Sequence, residues 1–203
     1  MQKIMFNDRY GLTQAVIEGR KTITRREPIF SGSDNFTVSC WPDTMLKKEY
    51  VRFDFDNGVS HKCRYAIGEE LAVAQSYKAL GYDDDALDRD PKDVFHVRGT
   101  LGRSSGWNNK MFIRAEACKV HIRITNIRCE RLQDISDADC LKEGIRFIPK
   151  IDKFYFEDGR REEGFYFDDH RVAFASLIDK VSGRGTWDRN PWVMVYEFEL
   201  IKY

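Results

Sequence analysis

The spacing of apolar and polar residues divides the chain into short elements with both helical and strand periods. After an apolar start at Ile4 to Phe6, Leu12, Ala15 and Val16 recur at helical spacing. Gly19 follows as a left-handed cap, which predicts a short helix ending there. Arg20-Lys21-Thr22-Ile23-Thr24-Arg25-Arg26 then sets β-branched side chains among cations and reads as a basic strand. Val51, Phe53 and Phe55 alternate with charged residues, Asn57-Gly58 supplies a type I′ turn, and Val59, His61 and Cys63 resume the alternation. Residues 50 to 65 therefore predict a hairpin. Gly68-Glu69-Glu70-Leu71-Ala72-Val73 reads as a turn into a buried strand.

Residues 78 to 109, with acids at Asp83, Asp84, Asp85, Asp88 and Asp90, read as a long loop. Met111 to Glu116 and Lys119 to Ile127 read as strands, the second with Val120, Ile122 and Ile124 on one face and His121, Arg123 and Thr125 on the other. Ser136 is placed to N-cap a helix, with Asp139 as its capping-box partner and Gly144 closing it. An aromatic-rich insertion from about 146 to 167 turns at Glu157-Asp158-Gly159. Phe174, Leu177, Ile178 and Val181 then mark a longer helix up to Gly183, and Trp192, Met194, Tyr196, Phe198 and Leu200 share one face of a closing strand. The fold class expected is α+β.

A length of 203 residues favours one domain, because division would leave two cores near the size at which burial becomes marginal. Lys+Arg and Asp+Glu both number 33, so no global basic field draws in nucleic acid, and any such site must be a local patch. The five cysteines (Cys40, Cys63, Cys118, Cys129, Cys140) are odd in number and widely spaced, which fits reduced thiols. No stretch approaches the roughly 20 apolar residues of a spanning helix, and the first residues lack a signal-peptide core. A cytoplasmic protein without membrane contact is expected.

Cys118-x-x-His121 and His61-x-Cys63 lack the second pair that a structural zinc site requires. No phosphate-binding glycine loop or Ser–His–Asp set can be assembled, so neither metal nor cofactor is expected. Alternation places Trp192 and Tyr196 in the core, whereas Trp107, between Gly106 and Asn108, is the better candidate for stacking on a ligand. Read alone, the cluster Arg20 to Arg26 is a solvated face.

Three segments, in order, carry a resemblance: FNDRYGLTQAVIEGRKTITRR, ITNIRCERLQDISDADCLKEGI and GTWDRNPWVMVYEFELI. Together they resemble the ASCH family, in particular its phage-type bacterial members. The resemblance implies a single PUA-like domain, a small, mostly antiparallel β-barrel with flanking helices and a cleft for RNA or a nucleoside. Insertions would fall near 28–64, 78–109 and 146–167. Some members of the family look like RNA-binding or coregulator modules, some are ribonucleases, and one branch hydrolyses acetylated cytidine with a Lys, a Thr and a Glu. That branch's glycine-basic-Lys-Thr-x-Thr motif is matched by Gly19-Arg20-Lys21-Thr22-Ile23-Thr24. It implies Lys21 as the activating amine and Thr24 as the nucleophile. The position of the Glu falls on Arg123, whose guanidinium stays protonated, so the third carboxylate is unassigned, with Glu116, Glu69 and Glu70 as substitutes. Like charge from Arg20, Arg25 and Arg26 is expected to lower the pKa of Lys21.

The leading expectation is an RNA- or modified-nucleoside-binding module with a basic cleft around Lys21, Thr24, Arg25 and Arg26. Lys110, Arg114, Arg123 and Asn126 would add polar contacts and Trp107 a stacking ring. The alternative is a metal-independent hydrolase, acetylcytidine amidohydrolase-like or a ribonuclease, using Lys21 and Thr24. A carboxylate within reach of either residue favours the enzyme, and an open basic groove favours binding. A large exposed apolar patch on the insertions would point instead to a protein partner.

Overall fold

The computed structural model describes residues 1–29, 32–81, 105–158 and 165–201. In chain order its elements begin with β1 (Gln2–Ile4), α1 (Leu12–Ile17), β2 (Ile23–Ile29), β3 (Phe36–Asp43), β4 (Lys48–Phe55), β5 (Ser60–Lys62) and β6 (Glu70–Val73). There follow α2 (Ser105–Asn108), β7 (His121–Arg131), α3 (Asp137–Lys142), β8 (Arg146–Ile148), β9 (Lys153–Phe156) and β10 (Phe165–Phe167). The chain continues through α4 (His170–Ser182), α5 (Thr186–Arg189) and β11 (Trp192–Ile201). The protein mixes α and β structure, with most of its regular residues in sheets. No described helix is long and apolar enough to cross a membrane.

The chain divides into two compact units, one of Met1–Phe6, Glu70–Ile122 and Ile201–Tyr203, the other of Asn7–Glu69 and Arg123–Leu200. In the first, β1 runs parallel to β6 with Lys3 opposite Ala72. Leu71, Ala72 and Val73 are wholly buried, as the sequence indicates. Ala72, Ala74, Tyr77, Leu80, Ile113 and Ala115 help build the core of this unit, and Trp107 packs against it. The strand expected over Met111 to Glu116 is not formed. Two 3-10 turns, Lys110–Phe112 and Ala115–Ala117, take its place. The Asn109 side chain accepts from the Met111 N–H at 3.0 Å and starts the first turn, and the Ala-Glu-Ala sequence favours helical over extended backbone. Most of the acidic loop, including Asp83 to Asp90, lies outside the described residues, as does Gly159.

In the second unit β7, β11 and β2 lie side by side in that order. β11 pairs antiparallel with β2, placing Tyr196 opposite Thr24 and Val195 opposite Arg25. Trp192 to Tyr196 are buried on both faces, so the single apolar face read from alternation understates this strand, which is central rather than half-exposed. Ile122 and Ile124 of β7 are buried and Arg123 and Thr125 exposed, as their alternation predicts. The described strands do not close into the expected barrel. At the outer edge of β2, backbone groups that a further strand would pair are met by the end of α3: Thr22 N–H donates to Lys142 O at 3.1 Å and Arg25 N–H to a Glu143 carboxylate oxygen at 2.9 Å.

Residues 28 to 64 and 146 to 167, which the resemblance leaves as insertions, contain two three-stranded antiparallel sheets, β3-β4-β5 and β10-β9-β8. The hairpin is present, with Phe53 opposite His61, but its turn is not type I′: Asn57 lacks the positive φ that type needs, and Gly58 alone has it, at 83°, in a three-residue loop over Asp56, Asn57 and Gly58 closed by Phe55 and Val59. β3, unforeseen because Pro42 and its mixed residues mask the alternation, pairs along the outside of β4, an edge on which proline is tolerated. Ser136 caps α3 as expected, accepting from Asp139 N–H at 3.2 Å. The Asp139 side chain turns to Arg25 and Arg128, so the predicted capping box is half formed. In α4, Ala173, Phe174, Leu177 and Ile178 are buried, but Val181 in the last turn is 40% exposed.

Candidate functional site

The site is built where α1, β2 and the end of α3 meet. Gly19 leaves α1 at φ 73°, and the N–H groups of Arg20 and Lys21 both return to Ala15 O at 2.9 Å. This tight exit turns the Lys21 side chain inward. On the other side, Gly144 ends α3 at φ 112°, and an added Cβ there would lie 3.0 Å from Leu12 Cδ2 and 3.9 Å from Lys21 Cδ. Only glycine fits both the backbone angle and that approach without displacement.

Between these turns Lys21 and Glu143 form a buried pair. The Lys21 ammonium donates to Glu143 Oε2, and at 2.8 Å to each of the carbonyls of Ile23 and Glu143. Glu143 Oε1 accepts from Arg25 N–H at 2.9 Å and from Arg25 Nη1 at 3.0 Å. The carboxylate is thereby fixed at both oxygens. Arg25, its side chain fully buried, also donates to Glu130 at 2.5 and 2.9 Å and to Asp139 at 3.2 Å, and its guanidinium carbon lies 5.8 Å from the Phe174 ring centre. Arg128 extends the network outward, binding Glu130 at 2.9 Å, Asp139 at 2.6 Å and also Glu197. Each buried cation therefore has a carboxylate partner, the condition under which buried charge is tolerated.

Thr24 retains 5% exposure and its Oγ1 accepts from Arg26 Nε at 3.3 Å. Lys21 retains 2%, with its ammonium against the carbonyl of Ile23, the residue before Thr24. Burial pushes the Lys21 pKa below its ordinary value, the Glu143 carboxylate opposes that shift, and the charges of Arg26 and Arg25 reinforce it. The lowering expected from sequence is present, but desolvation rather than like charge is its main cause. Arg20 is not among the larger causes and pairs with Glu18 at 2.6 Å. For Arg25, desolvation works against the charge, but Glu143 and Glu130 outweigh it and raise the pKa.

Lys21 and Arg25 share Glu143, while Arg26 donates to Thr24, the next residue along β2 from Ile23 and on the opposite face from Arg25. Arg123 and Asn126 are held on the exposed side of β7, Arg123 by Glu199 at 3.1 Å and Asn126 Nδ2 by Glu197 at 3.4 Å. Trp107, Lys110 and Arg114 belong to the other unit, where Trp107 packs on apolar residues and Lys110 donates to Phe6 O. Of the substitute carboxylates, Glu69 is taken by Lys48 at 3.2 Å. The carboxylate that meets Lys21 is Glu143, which sequence reasoning passed over. One signal for it exists: Glu143 stands at the C-terminal end of a short helix, where the helix dipole disfavours a negative charge. A distant cation is the natural compensation.

Half-buried Cys129 and buried Cys140 have thiols pushed up to about 12, chiefly by desolvation, which makes them poor nucleophiles. Among the described residues no group of three or more His, Cys, Asp or Glu side chains could hold a metal ion. Compared with known proteins, the chain matches no family model, no curated protein and no solved structure.

Proposed function

We propose that Lys21, Thr24 and Glu143 are the reacting centre of an ASCH-like amidohydrolase that acts on an N-acylated nucleoside of the acetylcytidine type. The observation that carries this reading is the contact of Glu143 Oε2 with the Lys21 amine, a carboxylate within hydrogen-bond reach of the residue that the motif marks. Thr24 is the nucleophile. As Thr24 Oγ1 attacks the acyl carbon, its proton passes to the neutral Lys21 amine, which must give up one of its three acceptors to turn its lone pair to Thr24, and the negative charge moves to the acyl carbonyl oxygen; Arg26, donating to Oγ1, orients the hydroxyl. The C–N bond then breaks, the departing nitrogen takes the proton from the Lys21 ammonium, and the acyl group stays on Thr24 as an ester. Water cleaves that ester, releasing the carboxylic acid and restoring the hydroxyl. Glu143 accepts hydrogen bonds at both oxygens, so its part is to aim Lys21 and offset the charge of the transient ammonium.

An RNA-tracking groove at this place is less well supported, because phosphate contacts need exposed cations and here Lys21 and Arg25 are buried against carboxylates. The test is chromatographic turnover of acetylated cytidine and a panel of related acyl-nucleosides by the intact chain, Lys21→Ala and Thr24→Ala. Turnover by the parent protein, abolished in both variants, is expected. Failure of the parent protein across the panel, or equal turnover by the variants, would contradict the assignment.

A further inference from the structure

The outer face of the β3-β4-β5 sheet carries a second arrangement of rings and cations, separate from the buried cluster. Trp41 and Tyr50 are cross-strand partners and lie stacked, with ring centres 6.2 Å apart and planes inclined by 21°. Lys62 Nζ sits 5.7 Å from the Trp41 centre and 5.2 Å from that of Tyr50, and the Arg52 guanidinium 5.9 Å from Trp41. Cross-strand pairing places Lys62 beside Arg52 and Arg52 beside Ser39, so these side chains share one face. The opposite face of β4, through Val51, Phe53 and Phe55, is buried. The sheet is therefore anchored on one side and presents an aromatic platform on the other.

We propose that this face is a docking surface for single-stranded nucleic acid. Bases stack on the Trp41–Tyr50 platform, which tolerates any base because every base has a π-face. Phosphates are met by Lys62 and Arg52. Among the described residues Lys62 makes no ion pair, so its charge is offset only by the two rings. Arg52 holds Asp54 at 3.0 Å, but its side chain is 46% exposed, and an ion pair so open to water exchanges readily for a phosphate. A cation without a carboxylate beside a stacked ring pair complements a chain of alternating anions and planar bases. The proposal does not rest on the hydrolase reading, since none of its residues belongs to the Lys21 cluster.

Fluorescence anisotropy with a labelled single-stranded oligonucleotide of about a dozen nucleotides, sized to the usual span of such sites, tests it on the intact chain. The parent protein should bind with an affinity that falls as salt rises, and prefer the single strand to its duplex. Trp41→Ala should weaken binding roughly tenfold or more, the loss of one stacking site. Lys62→Glu should reduce the salt slope by about one phosphate contact. Trp41→Phe keeps a ring in place and should retain most of the binding, which separates lost stacking from lost folding. No binding at low salt, equal affinity for duplex, or unchanged binding by Trp41→Ala and Lys62→Glu together would overturn the proposal, a protein partner then being the better occupant. Turnover of a free acyl-nucleoside should be the same in Trp41→Ala as in the parent chain, so either reading can fail while the other stands.

Discussion

Lys21 and Arg25 are sunk among Glu143, Glu130 and Asp139, whereas Lys62 and Arg52 lie in the open over Trp41 and Tyr50. The same residue types thus meet opposite surroundings within one unit. Charges taken out of water must be answered by the protein itself, and once answered they are fixed in direction, which suits a group that must be aimed. Charges left in water are weakly held and free to exchange partners, which suits binding. Cationic residue type alone does not distinguish these two surroundings; the partner carboxylates do.

The comparison breaks most visibly at Glu143. Glu143→Ala leaves Lys21 buried without its carboxylate, and urea unfolding should show a loss of about 3–5 kcal/mol. Removing Glu199 from its exposed pair with Arg123 should change stability by about 0–1 kcal/mol. Equal losses at the two positions would mean that the buried pair is no more than an ordinary surface contact.

The second effect is on pH dependence. The folded-state pKa of Lys21 is lowered, so between that value and the ordinary ~10.4 the unfolded chain binds more protons than the folded one. Stability contributed by this residue therefore rises with pH across that window. Turnover should rise in the same direction, with an apparent midpoint below the ordinary lysine value, because the reacting form is the neutral amine. A pH–rate profile without that limb would remove Lys21 from the role of base.

Smaller effects test the supports of each region. Ser136→Ala should cost about 1 kcal/mol, through loss of the cap on the helix that ends at Glu143. Trp41→Ala should cost no more than about 1 kcal/mol, the scale of one cross-strand pair, while its effect on oligonucleotide binding is large. A large loss of stability at Trp41 would make the platform structural.

Much of the scaffold was legible in the sequence because its signals are local. Gly19 ended α1, Gly58 turned the hairpin, though in a three-residue loop rather than the type I′ turn expected, and Ser136 capped α3, each within a few residues of what it governs. Lys21 and Thr24 were singled out by a motif resemblance, and what the structure adds is that both are buried. Glu143 was not singled out, because it meets Lys21 across more than a hundred residues and no local period reports such a pairing. Its trace was a local inconsistency, an acid placed where the helix dipole disfavours it. β3 was missed for the reverse reason: it owes its extended state to pairing with β4 rather than to a pattern of its own.

Intact-mass spectrometry of the protein, quenched during incubation with acetylated cytidine, addresses the central claim most directly. A transient mass increase of one acyl group is expected, mapped to the peptide containing Thr24, absent from Thr24→Ala and diminished in Glu143→Gln. An unmodified parent protein under conditions of turnover, or no turnover with any acyl-nucleoside offered, would contradict it.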